Sequence, residues 1–478
     1  MKLRTVISII ALTSVSAVSA QVYTLDSCRN LAVGNNKTIR MAEETIKGAG
    51  FDRKAAKAAY LPGIDFNGGY LYNQRTINLL AEDAKLPTMT FDPLTQKYTP
   101  NILIGPDLQP VKDPATGSYI PTEVAVIPKE AMSFDTHNVV MGALTLTQPV
   151  YMGGQIKALN EIAKYAEQAT IAARNSAVQD LIYGVDKAYW MVVSLKEKKK
   201  LAESFVTLVD TLRYSVNAMV EEGVATRSDL LTVDVKLNEA KIALTKVDNG
   251  LTLSRMALAQ LCGLPVQSNM QLADEDYKSY TPSAPEFNYN LSDVYAKRQD
   301  LELLRKGIDL LSQREKLTMG TMLPKLAVVG AYEFSNPNFN DGFKKRFGGG
   351  FSVGATLSIP IWHWGGNYNH YRAAKSATNA QRLLLEDMEE KVSLQVEQAK
   401  FSFQEAFKTY DMTLSNMKSA EANLENAQYG FKEGVLTTDD VIAAQTAWLQ
   451  ANSEKIDAEI GIHLCEVYLA KVLGNLAY

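Results

Sequence analysis

Residues 147–155 read TQPVYMGGQ, and residues 358–367 read SIPIWHWGGN. Each places a proline between apolar residues, an aromatic two positions later and a Gly-Gly pair. Each also follows a segment of strand character and precedes one of long-helix character. The two junctions are Pro149, Tyr151, Gly153 and Gly154, and Pro360, Trp362, Trp364, Gly365 and Gly366. The repetition extends outward from them. The offset of 211 that carries Pro149 onto Pro360 also carries Gly223 onto Gly434 and Gly263 onto Gly474. EEGVATRSDLL around Gly223 and KEGVLTTDDVI around Gly434 agree beyond the glycine. The chain is an internal duplication, with copies over 21–263 and 291–478 and a proline-containing linker over 264–290.

Upstream the offset changes to 262, where AYLPGIDFNGGY with Pro62 matches TMLPKLAVVGAY with Pro324. The first copy therefore holds an insertion between its strands. Residues 73–137 contain eight of the sixteen prolines and no helical or strand period, so they are expected to form a long loop. Four segments alternate with period two: about 62–72, 138–150, 324–335 and 350–361. In GFSVGATLSIPIW, Phe351, Val353, Ala355, Leu357, Ile359 and Ile361 share one face, against small or polar residues on the other. A strand of about 9–11 residues crosses a bilayer when tilted, so at the two junctions the prolines are expected to end the ladders, Tyr151, Trp362 and Trp364 to lie at the membrane interface, and the Gly-Gly pairs to permit the turn. Four strands cannot close a membrane barrel, and an open edge in hydrocarbon leaves backbone groups unpaired, so the chain is expected to share a barrel with other copies.

After Gly223, the positions Leu230, Val233, Leu237, Ala240, Leu244, Val247, Leu251, Ser254, Leu258 and Leu261 recur at steps of three and four. Adding 211 gives a matching seam from Val441 to Val472 that includes Cys465. Val178, Ile182, Tyr189 and Val193 run beside a further seam of Leu181, Val185, Ala188, Val192 and Leu195. Two stripes on one helix predict neighbours on both sides. The tips near 221–229 and 432–440 each place a glycine before Thr-x-x-Asp, Thr226 to Asp229 and Thr437 to Asp440, the pattern of a helical hairpin with a capping box.

Composition narrows the function. The chain has 478 residues, 46% hydrophobic and 21% charged. Residues 1–20 have the basic, apolar and small-residue tripartition of a signal peptide, with cleavage expected before Gln21. Losing Lys2 and Arg4 takes the net charge from −4 to −6, against a nucleic-acid partner. Cys28, Cys262 and Cys465 give no disulfide framework and are read as small apolar residues. His363 and His370 lack companion ligands, and no nucleophile, base, metal or cofactor motif appears, so an enzyme is not expected. A soluble coiled-coil adaptor or a structural envelope protein without a pore is the alternative, although an adaptor would carry one hairpin rather than two copies with two strands each.

Over its mature length the chain resembles the TolC family of outer-membrane efflux proteins. The features that carry the resemblance are the duplication, Asn35-Asn36 and Arg298-Gln299-Asp300 opening the copies, Leu-Pro at 61–62 and 323–324, the junctions, the glycine tips and the closing Val472-Leu473-Gly474. The resemblance implies a homotrimer, mainly α, with a twelve-stranded outer-membrane β-barrel in lipid and a periplasmic coiled-coil α-barrel. It implies efflux or type I secretion with a periplasmic adaptor and an inner-membrane transporter, and the sequence does not choose among drug, metal and protein cargo. Adaptor docking falls on Gly223, Val224, Asp229, Gly434 and Val435. Asp440 matches an acidic position at the periplasmic aperture, with Asp439 beside it. The position three residues on is Ala443, a departure from a double acidic ring.

Overall fold

A computed structural model of the chain describes residues 22–268, 270–276, 287 and 289–476. The expected signal peptide and its cleavage point lie outside these residues, as does part of the linker. The described residues divide into two compact units: Lys57–Lys157 with Leu317–Tyr368, and the remainder.

The first unit is built on one antiparallel sheet of four strands. They are β1 (Gly63–Tyr72), β2 (Asn138–Met152), β3 (Lys325–Asn336) and β4 (Gly348–Ser358), in spatial order β4-β3-β2-β1. The register decides which side chains share a face. Phe66 stands opposite Leu144, Leu144 opposite Tyr332, and Tyr332 opposite Phe351; the next row is Ile64, Leu146, Gly330 and Val353. Because side chains alternate along a strand, these rows place the apolar set of all four strands on one face. Asp65, Thr145, Ala331 and Ser352 form a row on the other. The apolar face is not buried within the chain: Phe66, Phe351, Val353 and Leu357 are all exposed. Phe66 and Phe334 stack with centroids 6.3 Å apart across Gly142, where any Cβ would run into the Phe334 ring.

Two strand ends differ from the expected ones. β2 runs through Pro149 to Met152, and a register shift opposite Leu326 and Ala327 absorbs the proline, which therefore does not end this ladder. β4 stops at Ser358, before Pro360, and takes in Gly348–Gly350 at its start.

The segment 73–137 is not an irregular loop. It folds back on itself in nested antiparallel pairings: Ile77–Asn78 with Ser133–Phe134, Ala84–Pro87 with Val124–Ile127, and bridges from Ile102 to Pro121 and from Lys112 to Tyr119. A side hairpin pairs Met89–Asp92 with Lys97–Pro100. Each ladder spans only two to four residues between prolines, too few for an alternating pattern to register in the sequence.

The second unit is mainly helical, with one short parallel pairing of Val22–Tyr23 and Gln271–Leu272. The helices, four of which have an end of two or three residues in the first unit, are α1 (Leu25–Asn35), α2 (Lys37–Ala58), α3 (Gln155–Glu221), α4 (Arg227–Leu261), α5 (Leu291–Lys297), α6 (Gln299–Met319), α7 (Gly366–Lys432) and α8 (Thr438–Val472). α3 and α7 have 67 residues each, about 100 Å at 1.5 Å per residue, and neither contains proline. Among the described residues no helix is long and apolar enough to cross a membrane. The heptad positions are where the helices pack. Phe205, Val209, Leu212 and Val216 of α3 meet Val233, Leu237 and Ala240 of α4 and Val441 of α8. The second stripe is also used: Val178 and Ile182 pack on Ile39 and Leu476, while Val185, Tyr189, Val192 and Val193 pack with Leu251 and Leu258. Burying each such side chain contributes about 1.5–3 kcal/mol, which offsets the entropy of ordering so long a helix.

Where α1 lands on α3, Asp186 is wholly buried and accepts from Arg29 Nε at 2.8 Å and Nη2 at 2.6 Å. Burial pushes the Asp186 carboxyl up, and the two hydrogen bonds from Arg29 oppose that rise.

Candidate functional site: the hairpin tips and the strand-to-helix junctions

Each tip is closed by the same set of backbone bonds. Gly223 has φ +78° and Gly434 φ +73°, the left-handed region, and an added Cβ would meet open space at both. Val224 N–H donates to Met219 O and Gly223 N–H to Val220 O; Val435 N–H donates to Gly430 O and Gly434 N–H to Phe431 O. This is the Schellman arrangement, which satisfies the last carbonyls of α3 and α7. The next helix starts at once. Thr226 Oγ1 accepts from Asp229 N–H at 3.2 Å while Asp229 Oδ2 accepts from Thr226 N–H at 2.8 Å. Thr437 and Asp440 repeat the exchange at 3.3 and 2.9 Å. At Asp440, hydrogen bonds from the Thr437 hydroxyl and backbone hold the carboxyl below the usual carboxylate range, and Thr226 does the same for Asp229.

One oxygen of Asp440 is therefore committed to the cap, whereas Asp439 is exposed on the same first turn without that engagement. Val224 and Val435 are 72% and 78% exposed, the apolar points of the two tips. A groove of about 520 Å³ lies between the hairpins, lined among others by Leu212, Met219, Val224, Phe431, Val441 and Gln445. Gln445 is buried; its Nε2 donates to Leu208 O at 3.4 Å and its Oε1 has no partner. In the sequence Gln445 is marked only as a polar residue four positions after Val441, beside the α8 seam.

The junctions do not superpose as glycine on glycine. At the first, Gly153 (φ +61°) and Gly154 (φ +77°) both take the left-handed region, and Gly153 approaches Gly320 so closely that a Cβ would sit 2.5 Å from Gly320 O. At the second, the offset of 211 puts Trp364 in the place of Gly153, and Trp364 adopts φ +49° with Gly365 at φ +75°. Gly366 is already the first residue of α7. The second turn thus uses one glycine and one tryptophan, not a Gly-Gly pair. Tyr151, Trp362 and Trp364 are exposed, and the two tryptophans meet edge to face at 5.8 Å.

The family model described as outer membrane efflux protein matches residues 28–264 and 290–475. No curated protein matches the chain significantly. Among solved structures, the outer membrane channel CmeC of Campylobacter jejuni superposes with a TM-score of 0.70 at 16% identity, covering 94% of this chain and 85% of that one. The open-state MtrE outer membrane channel of Neisseria gonorrhoeae gives 0.69 at 17%, covering 94% and 88%. VceC, an outer membrane protein of Vibrio cholerae, gives 0.69 at 13%, covering 94% and 96%. Identities this low show the fold alone, but the family match spans both copies. The chain belongs to the outer membrane efflux protein family and is an outer-membrane efflux channel.

Proposed function

We propose that three copies of the chain close a twelve-stranded barrel in the outer membrane and that their helical hairpins line a periplasmic conduit. The conduit receives cargo from an inner-membrane transporter through a periplasmic adaptor, in efflux or type I secretion. The observation that carries this reading is the sheet. Among the described residues β1 and β4 have no partner on their outer edges, and all four strands show one apolar, exposed face. Each unpaired backbone group left in hydrocarbon costs several kcal/mol, so such a sheet needs closure. Because β1 to β4 are successively antiparallel, β4 of one copy runs opposite to β1 of the next, and they can pair as an antiparallel ladder.

In this arrangement Tyr151, Trp362 and Trp364 lie at the membrane interface, where amphipathic rings are favoured, and the strand-to-helix turns occupy the same level. Gly223, Val224, Asp229, Gly434 and Val435 form the docking tips. Asp439 and Asp440 face the aperture, with Asp439 the freer of the two because the cap occupies Asp440. Single-channel conductance of reconstituted trimers tests the assignment. Asp439→Ala and Asp440→Ala are expected to weaken block by added cations, Asp439→Ala more; unchanged block in both would remove these residues from the aperture.

A further inference from the structure

The three cysteines have different surroundings. Cys465 lies in the α8 seam, its thiol 3.8 Å from Ser402 O. Cys28 and Cys262 are both wholly buried and belong to one apolar cluster with Ala32, Leu258, Ala259 and Met270. Cys262 Sγ donates to the carbonyl oxygen of Cys28 at 3.6 Å. The thiols also act on each other: a hydrogen bond to Cys262, followed by burial, pushes the Cys28 thiol up.

The contact between the ends of α1 and α4 is built on consecutive residues. Asn36 Nδ2 donates to Leu261 O at 3.1 Å, and Gly263 sits on Asn35 so tightly that a Cβ would lie 2.6 Å from Asn35 Cβ. Cys262 lies between those two anchors and faces Cys28.

The second copy makes the same landing without sulfur. Gly474 sits on Lys297, with a Cβ 3.0 Å from that of Lys297, and Arg298 Nη1 donates to Val472 O at 3.2 Å. The two offsets place Asn290 and Leu473 where the first copy has Cys28 and Cys262. The packing therefore does not require cysteine at these positions, yet the first copy places two there and brings them together.

We propose that Cys28 and Cys262 are a disulfide site, and that the bond staples the first helix to the end of α4. The proposal takes from the proposed function only an envelope placement, where disulfides persist. The oxidant is a disulfide-bearing thiol oxidoreductase of the envelope. One cysteine thiolate attacks its disulfide to give a mixed disulfide. The second thiolate then displaces the enzyme sulfur, so that the chain loses two protons and two electrons and the oxidoreductase leaves as a dithiol. Both sulfurs are buried once α1 has docked, so the exchange precedes docking.

The test counts thiols on the full-length chain recovered in the outer-membrane fraction. Cells are quenched with acid, and the protein is denatured and labelled with a maleimide-linked polyethylene glycol, with or without prior reduction. Recovery in that fraction reads the placement, and the label count reads the bond. The expected result is one label per chain, at Cys465, without reduction and three after it. A non-reduced tryptic digest should contain the peptide ending at Arg29 linked to Met256–Lys278. Cys28→Ser and Cys262→Ser should each show two labels whether or not they are reduced. Three labels without reduction on the wild-type chain, or a linkage that involves Cys465, would overturn the proposal.

Discussion

Alanine at Gly153 tests the first junction, because it combines two costs that neighbouring glycines separate. The backbone there has φ +61°, and the left-handed region costs an L-residue roughly 1–2 kcal/mol. The new Cβ would also stand 2.5 Å from Gly320 O and 2.9 Å from Leu323 Cβ. Gly320 cannot yield freely, since its own missing side chain faces Gly153 O at 2.6 Å and β3 begins at Lys325. Overpacking of this kind costs about 1–3 kcal/mol. Gly153→Ala should therefore cost about 2–5 kcal/mol, the sum of the two ranges. Gly154 has φ +77° and open space around its Cβ, so Gly154→Ala should cost only the backbone term, about 1–2 kcal/mol. Gly320→Ala should show the contact term alone, about 1–3 kcal/mol. Gly366, with open space and a helical position, should accept alanine within about 0.5 kcal/mol. The assay is the thermal midpoint of the helical circular dichroism signal in detergent, read across the four variants. If Gly153→Ala proves no worse than Gly154→Ala, the close approach to Gly320 is wrong; if Gly366→Ala is as harmful as Gly153→Ala, the junction is misplaced by a residue.

Thr226→Ala and Thr437→Ala should each cost about 1 kcal/mol, read as faster hydrogen exchange confined to the first turns of α4 and α8. Both capping carboxyls titrate below their unfolded values, so the cap's contribution is fully present above the ordinary carboxylate range and lost as pH falls through the depressed value. The exchange difference between wild type and Asp440→Asn, corrected for intrinsic rates, should accordingly shrink in acid; a difference that grows as pH falls would contradict the cap geometry. Asp186→Asn should cost about 3 kcal/mol in urea unfolding, the low end for a broken buried pair, because Arg29 retains a path to solvent. A loss under about 1 kcal/mol would mean the pair does not hold α1 on α3.

Much of this architecture is carried by local periodicity. The alternation Phe351, Val353, Ala355, Leu357 marks one face of β4, and the heptads from Leu230 and Val441 mark the lines along which α4 and α8 pack. The glycines at 223 and 434 are legible for the same reason: a helix end followed by Thr-x-x-Asp is written within a few residues. What the sequence concealed depends on distant contacts or on weak local signals. Pro149 reads as the end of a ladder, but β3 accommodates it with a register shift. Trp364 reads only as an interfacial aromatic, yet it also takes a left-handed backbone that its counterpart Gly153 adopts without a side chain. The ladders within 73–137 are too short to leave a period. Cys28 and Cys262 are far apart in sequence, and only the docking of α1 on α4 brings them together. Gln445 looks like a surface residue until the neighbouring hairpin covers it.

The claim on which the channel account rests is that β1 of one copy pairs with β4 of the next. It is tested most directly by cross-linking cysteines placed on the polar face of the two edges, Asp65 or Asn67 in β1 and Ser352, Thr356 or Ser358 in β4, in a Cys465→Ser background. The account predicts that one pairing among these, when oxidised in the outer membrane, yields a ladder of monomer, dimer and trimer on a denaturing gel that stops at three chains. No intermolecular product from any pairing, or a ladder that stops at two chains or continues past three, would contradict it.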